Sequence, residues 1–248
     1  MPRFKDQAIC IRHFDWSETS QVVVLLTQQH GKVRGLAKGS KRTSPSSVQR
    51  FSGGIELLTR GEIVGVIRHS SELATLTEWD LQDDYHHLRR DLAAQQMGLY
   101  AADLVNALTA EHDPHPRAFA ALDRFLQDLQ APGQRQAALL RFQWDLLSDC
   151  GYQPELWQDV HTGQPLPQRA AYRFDPRGGG LTEQVGDEKW EVRRQTVELL
   201  RQAASGPVPS DADPDTLVRA NRLLCVYVRW ILDQELPTMR FVLGGNKG

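Results

Sequence analysis

The spacing of apolar residues changes period near residue 80, and this constrains the fold more than any single motif in the chain. Before the change, AICIRHF (Ala8 to Phe14) alternates apolar and polar side chains, the period of a half-buried strand. QVVVLLTQ (Gln21 to Gln28) is β-branched and continuous enough for a central strand. His30-Gly31 then turns the chain, and KVRGLAKG returns with Val33, Leu36 and Ala37 as its apolar members. TSPSSV (Thr43 to Val48) reads as a mobile loop. GGIELLTRGEIVGVIRH (Gly53 to His69) predicts two strands about an Arg60-Gly61-Glu62 hairpin turn, and LATLTEWDL (Leu73 to Leu81) extends the last. Five short antiparallel strands in a stretch of this size fit a small barrel of the oligonucleotide-binding type.

From Asp83 the period is 3.6. Residues Asp83 to Asp113 predict one long helix, N-capped by Asp83 or Asp84, with Leu88, Leu92, Leu99, Leu104 and Leu108 as buried candidates. Further amphipathic helices follow over Arg117–Gln130, Pro132–Gly151, Lys189–Ser205 and Asp213–Leu236, the last capped by Asp213 with Pro214 at its first position. The fold class is therefore α+β: an OB-type five-stranded barrel over 1–80, then an all-α helical domain over 81–248. The Pro-, Gly- and Gln-rich stretch at about 154–186 is expected to be an irregular insertion.

The formal net charge of -2 hides an asymmetry. Residues 1–70 carry 11 Lys and Arg against five Asp and Glu, while the remaining 178 carry 18 against 26. Such a split points to a first half attracted to a polyanion. There is no apolar run long enough to span a bilayer, and MPRFKDQAICIRHFD lacks the apolar core of a signal peptide, so a cytoplasmic protein is expected. Cys10, Cys150 and Cys225 have no CxxC spacing and read as buried thiols of a reducing compartment.

The basic residues concentrate in HGKVRGLAKGSKR, His30 to Arg42. A phosphate-cradling P-loop is excluded, because three residues instead of four separate Gly35 from Gly39, Ser stands in the lysine position and no helix pattern follows. A nucleic-acid surface is compatible. On a strand Lys32 and Arg34 share a face, Lys38, Lys41 and Arg42 follow on the loop, and Arg50 lies beyond it. Glycines at 31, 35 and 39 would allow close approach to a sugar-phosphate chain. Phe14, Trp16 and Phe51 are the candidate stacking platforms, each equally readable as core. No HExxH or GxSxG pattern occurs, and no residue stands out as a catalyst. Phosphate contacts alone leave an RNA-binding barrel open, as they do an enzyme with Asp159 and His161 as the polar groups of a site in 154–186.

With both halves read, the chain resembles the bacterial RecO family of recombination mediators nearly end to end. The resemblance is carried by Trp16–Arg42, Leu76–Leu92, LLRFQWDLLSDCGYQPEL (Leu139 to Leu156), Gly163–Leu181 and RWILDQELPTMRF (Arg229 to Phe241). It implies a non-enzymatic protein of DNA repair and recombination, associated with the nucleoid, that binds single- and double-stranded DNA and anneals complementary strands. The implied partners are RecR, the C-terminal tail of the single-strand-binding protein and, indirectly, RecA. For the acidic, apolar-ended tail, Arg135 and Arg141 beside Leu139 and Phe142 form the candidate seat. Many family members carry a four-cysteine zinc site, but the corresponding positions here are Asp159, Thr162, Thr182 and Val185, so neither zinc nor any other cofactor is expected. The loop would then be held by packing of Tyr172, Phe174 and prolines.

Overall fold

The computed structural model describes residues 3–67, 72–186 and 189–244. The chain parts into two compact units, Met1–Gln130 and Ala131–Gly248.

In the first unit the strands β1 (Arg3–Ser17), β2 (Ser20–Thr27), β3 (Gly31–Ala37), β4 (Arg60–Val66) and β5 (Ala74–Asp83) close into a barrel in the order β1-β2-β3-β5-β4. Every pairing is antiparallel except β3 with β5. This is the expected barrel of the oligonucleotide-binding type, reached by a different partition. Gly53 to Ile67 supplies one strand, Arg60-Gly61-Glu62 lies inside it rather than at a turn, and β5 is the fifth strand by itself. The end of the expected stretch, Arg68 and His69, lies outside the described residues.

The barrel interior is filled by Ala8, Cys10, Val23, Leu25, Val33, Ala37, Ile63 and Trp79. The segment expected as a mobile loop forms a short helix, α1 (Pro45–Phe51), whose Phe51 plugs this core. The buried Ser47 hydroxyl donates to the Gly39 carbonyl, which ties the helix to the end of β3. Burial pushes the Cys10 thiol up to about 12, so it is an inert core group.

The long helix expected from Asp83 is interrupted. Tyr85 takes a left-handed backbone conformation (φ 40°) and donates its hydroxyl to Asp123 at 2.5 Å. His86–Arg90 forms a 3-10 turn, and helix α2 (Leu92–Leu108) begins only at Asp91, whose carboxylate accepts from the Ala94 N–H at 3.1 Å. Leu88 and Leu104 are buried as expected, whereas Leu92 is exposed. Helix α2 packs on β1, and α3 (Pro116–Asp128) packs on α2 and β2. This is why the compact unit runs well past residue 80.

The second unit contains α4 (Arg135–Asp149), α5 (Arg194–Ser205), α6 (Pro214–Leu232) and α7 (Arg240–Leu243). Asp213 caps α6 as expected, accepting from the Thr216 N–H at 2.8 Å. Within the region expected to be irregular, β6 (Ala171–Asp175) and β7 (Gly180–Thr182) join β8 (Trp190–Arg193) in a three-stranded sheet. The helical region is thus not purely α, and Lys189–Arg193 is not the start of a helix. Tyr172 and Phe174 are buried, and Phe174 stacks on Trp190 with centroids 5.6 Å apart. Among the described residues no helix is long and apolar enough to cross a membrane.

Candidate nucleic-acid interface

Strand register determines which side chains share the outer face of the barrel. A β-bulge between Cys10 and Arg12 shifts the pairing of β1, so that Cys10 opposes the core residue Leu25 while Arg12 opposes Val24. Phe14 then lies opposite Val22. On the other side of β2, Val24 pairs Arg34 and Val22 pairs Leu36. Two rows therefore cross the sheet, Arg12–Val24–Arg34 and Phe14–Val22–Leu36, with Trp16 following near the end of β1 and Lys38 just past the end of β3.

One end of this face is covered. Leu26 pairs Lys32, and both are buried. The Lys32 ammonium donates to the carbonyls of Asn106 (2.6 Å) and Thr109 (2.7 Å) at the C-terminal end of α2. Burial, set against nearby Glu111 and reinforced by the Arg12 and Arg34 guanidinium groups, lowers its pKa. Lys32, expected as a phosphate contact, is instead a cap on the helix. It has the same strand parity as Arg34; only the position of the α2 terminus separates their roles. Gly31 and Gly35 are likewise internal: a Cβ on Gly31 would lie 2.2 Å from the Asp113 carbonyl oxygen, and one on Gly35 would lie 2.6 Å from Leu76 Cγ. Their sequence spacing reflects close packing, not an opening for a sugar-phosphate chain.

The other end is open. Trp16, Ser17, Ser20, Leu36, Lys38, Gly39, Arg42 and Arg50 line a groove of about 320 Å³. Trp16 is 66% exposed and Phe14 55%, while the third aromatic candidate, Phe51, is buried. Gly39 turns the chain here at φ 70°, a conformation that favours glycine. Lys38, Arg42 and Arg50 are exposed and have no carboxylate partner among the described residues; Arg50 Nε donates only to the Ser46 carbonyl. Lys41 is partly neutralised by Asp15 at 3.0 Å, and Arg34 sits 3.8 Å from Glu111. Of the six basic residues expected to contact DNA, Lys38, Arg42 and Arg50 line one groove, Arg34 and Lys41 are paired with carboxylates and Lys32 is buried; Arg12, not among the six, is brought to this face by the bulge.

Of the α4 residues expected to seat an acidic peptide tail, Leu139, Arg141 and Phe142 already take part in packing or hydrogen bonds. Leu139 and Phe142 are buried, and Arg135 is half-buried. Arg141 pairs with Asp145 and donates to the carbonyls of Ala203 (3.0 Å) and Gly206 (2.7 Å), closing the C-terminus of α5. The apolar residues of α4 face α6, where Gln143 donates to Asn221 at 2.8 Å. Sequence spacing had put the arginines beside an apolar row but could not show that the row was already covered.

Of the residues in the zinc-site positions, Asp159, Thr162 and Thr182 are brought together by hydrogen bonds, while Val185 is exposed. The buried Asp159 carboxylate accepts from the N–H groups of His161, Thr162 and Glu183 and from the Thr182 hydroxyl. Burial acts to raise its pKa, but these four donors outweigh it and hold the carboxyl well below the usual range. His161 meets Asp175 at 2.6 Å, and Lys189 donates to the same carboxylate at 2.7 Å. Asp159 and His161 are therefore tied into the loop's own bonding. Among the described residues no group of three or more His, Cys, Asp or Glu is placed to hold a metal ion.

Comparison with known proteins joins the two units. Residues 1–85 match the family model for the N-terminal part of recombination protein O, and residues 89–240 match that for its C-terminal part. The chain belongs to the RecO family. It is 29% identical to the DNA repair protein RecO of Myxococcus xanthus over 249 residues, covering 98% of both chains. It is 30% identical to that of Geobacter metallireducens over 244 residues, again 98% of both, and 32% identical to that of Geobacter sulfurreducens over 78% of this chain and 77% of the relative. The RecO barrel and helical region thus correspond to the two matched segments.

Proposed function

We propose that this chain is a DNA repair and recombination mediator that binds single- and double-stranded DNA on the open end of the outer barrel face and anneals complementary strands. The observation that carries the reading is the groove in which Lys38, Arg42 and Arg50, without carboxylate partners among the described residues, surround the exposed Trp16. Long cations on a loop and a short helix follow phosphates without demanding one sequence, and each contact releases counterions. Annealing then needs no bond-breaking group. Neutralising two phosphate backbones and holding both strands at high local concentration is sufficient, and base pairing completes the step.

On the same reading the protein is non-enzymatic and works at the nucleoid. With RecR it helps load RecA onto DNA coated by the single-strand-binding protein, whose tail is a partner. Burial of Leu139 and Phe142 and the bonds of Arg141 to α5 favour a seat for that tail elsewhere than on Arg135, Leu139, Arg141 and Phe142.

A strand-annealing assay tests the proposal. The wild-type chain should accelerate pairing of complementary DNA oligonucleotides at low salt, and the combined Lys38→Ala, Arg42→Ala, Arg50→Ala variant should lose most of that acceleration. Equal rates from the two proteins would overturn it, as would a preference for RNA over matched DNA strands.

A further inference from the structure

The open end of the outer barrel face exposes the Trp16 indole where Lys38, Arg42 and Arg50, without carboxylate partners among the described residues, gather. Phe14 and Trp16 are two residues apart on β1, both rings are largely exposed, and Trp16 borders the groove with Lys38, Arg42 and Arg50. An indole 66% exposed at the end of a strand contributes little to a core.

We infer that Trp16 is the stacking platform for an unpaired base and makes this groove select single-stranded over duplex DNA. The inference rests on the DNA-binding reading and deepens it. Every nucleobase has a π-face, so stacking on an exposed indole is tolerant of sequence. A duplex offers that face only at its ends, because its bases are already stacked on each other. Cations alone do not discriminate, since both strand states present phosphates. The groove thus divides its work: Lys38, Arg42 and Arg50 hold the backbone of either form, and Trp16 adds binding that only an unpaired base can receive. Phe14, 55% exposed, lies two residues before Trp16 on β1 and outside the lining of the groove. A partner protein seated on the same indole is the competing occupant, but three cations without carboxylate partners among the described residues favour a polyanion.

The test compares the full chain with Trp16→Ala, Trp16→Phe and the triple cation variant, using a thymidine oligonucleotide and a blunt duplex at one salt concentration. Trp16→Ala should lose about tenfold in single-strand affinity, keep its duplex affinity within about twofold and keep its salt slope. Trp16→Phe should retain most of the single-strand affinity. In the wild type the oligonucleotide should quench tryptophan emission, and that quenching should shrink in Trp16→Phe. Equal losses for both DNA forms, or no loss for either, would overturn the inference. The two readings fail separately: an unchanged salt slope in the triple variant removes the groove as the DNA site. A reduced slope there, together with undiminished single-strand preference in Trp16→Ala, removes only the role of the indole. Because Trp16 is largely exposed, all variants should melt close to the wild type, and circular dichroism checks this directly.

Discussion

The Lys32 ammonium donates to the Thr109 carbonyl at 2.7 Å, so one of the basic residues in the string His30–Arg42 holds a helix end instead of facing a polyanion. The second bond, to Asn106, satisfies another carbonyl that the helix leaves without an intrahelical donor. Lys32→Ala should therefore lower stability by about 1–3 kcal/mol in denaturant titration. It should leave the salt dependence of DNA binding unchanged. A variant of full stability with a weaker salt slope would return Lys32 to the phosphate-contacting set.

Lys32 also predicts a pH effect of defined sign. Its folded pKa is lowered from 10.5, so just below that value the unfolded chain holds the proton more tightly than the folded one. Stability of the wild type relative to Lys32→Met should rise as pH climbs through the window between the folded pKa and 10.5. A difference that is flat or falls across this window would contradict the burial argument.

Gly31 stands at φ 68°, and a Cβ there would enter the backbone of Asp113. Gly31→Ala should cost about 2–4 kcal/mol, combining an unfavourable left-handed conformation with a contact that cannot relax through a flexible side chain. Thermal unfolding measures it. A loss well under 1 kcal/mol would mean that the turn and the Asp113 segment separate easily.

β1 was legible as alternation in AICIRHF and β2 as a continuous apolar run, because Val23 and Leu25 enter the barrel core while Val22 and Val24, on the opposite face, are buried as well. Helix α1 was hidden: a Ser/Pro-rich stretch has poor intrinsic order, and only Phe51 in the barrel and Ser47 on Gly39 show what holds it. Lys32 and Arg34 could not be told apart, since strand parity places both outward and the α2 terminus arrives from far along the chain. Trp16 was equally readable as core or platform, a choice that side-chain type does not make. The sheet within 171–193 left no periodic trace in the sequence, because its strands are only three to five residues long.

Asp159 takes the central place in that loop through four donors. Asp159→Ala should destabilise the second unit by about 2–3 kcal/mol and speed hydrogen exchange over 159–183, because three N–H groups lose their acceptor. Its depressed pKa means that the stabilisation is present above the unfolded value of 3.8 and is lost as pH falls toward the folded one. A chelator should leave the unfolding midpoint unchanged, and one zinc per chain in metal analysis would contradict this account of the loop.

The central claim, that three cations around Trp16 form the DNA-contacting surface, is tested most directly by the salt dependence of single-stranded DNA binding. Each phosphate contact contributes roughly 0.7 to the slope of log affinity against log salt on a single strand. Replacing Lys38, Arg42 and Arg50 together by alanine should reduce the magnitude of that slope by about 2. An unaltered slope, in a variant that remains folded, would place the DNA elsewhere on the molecule.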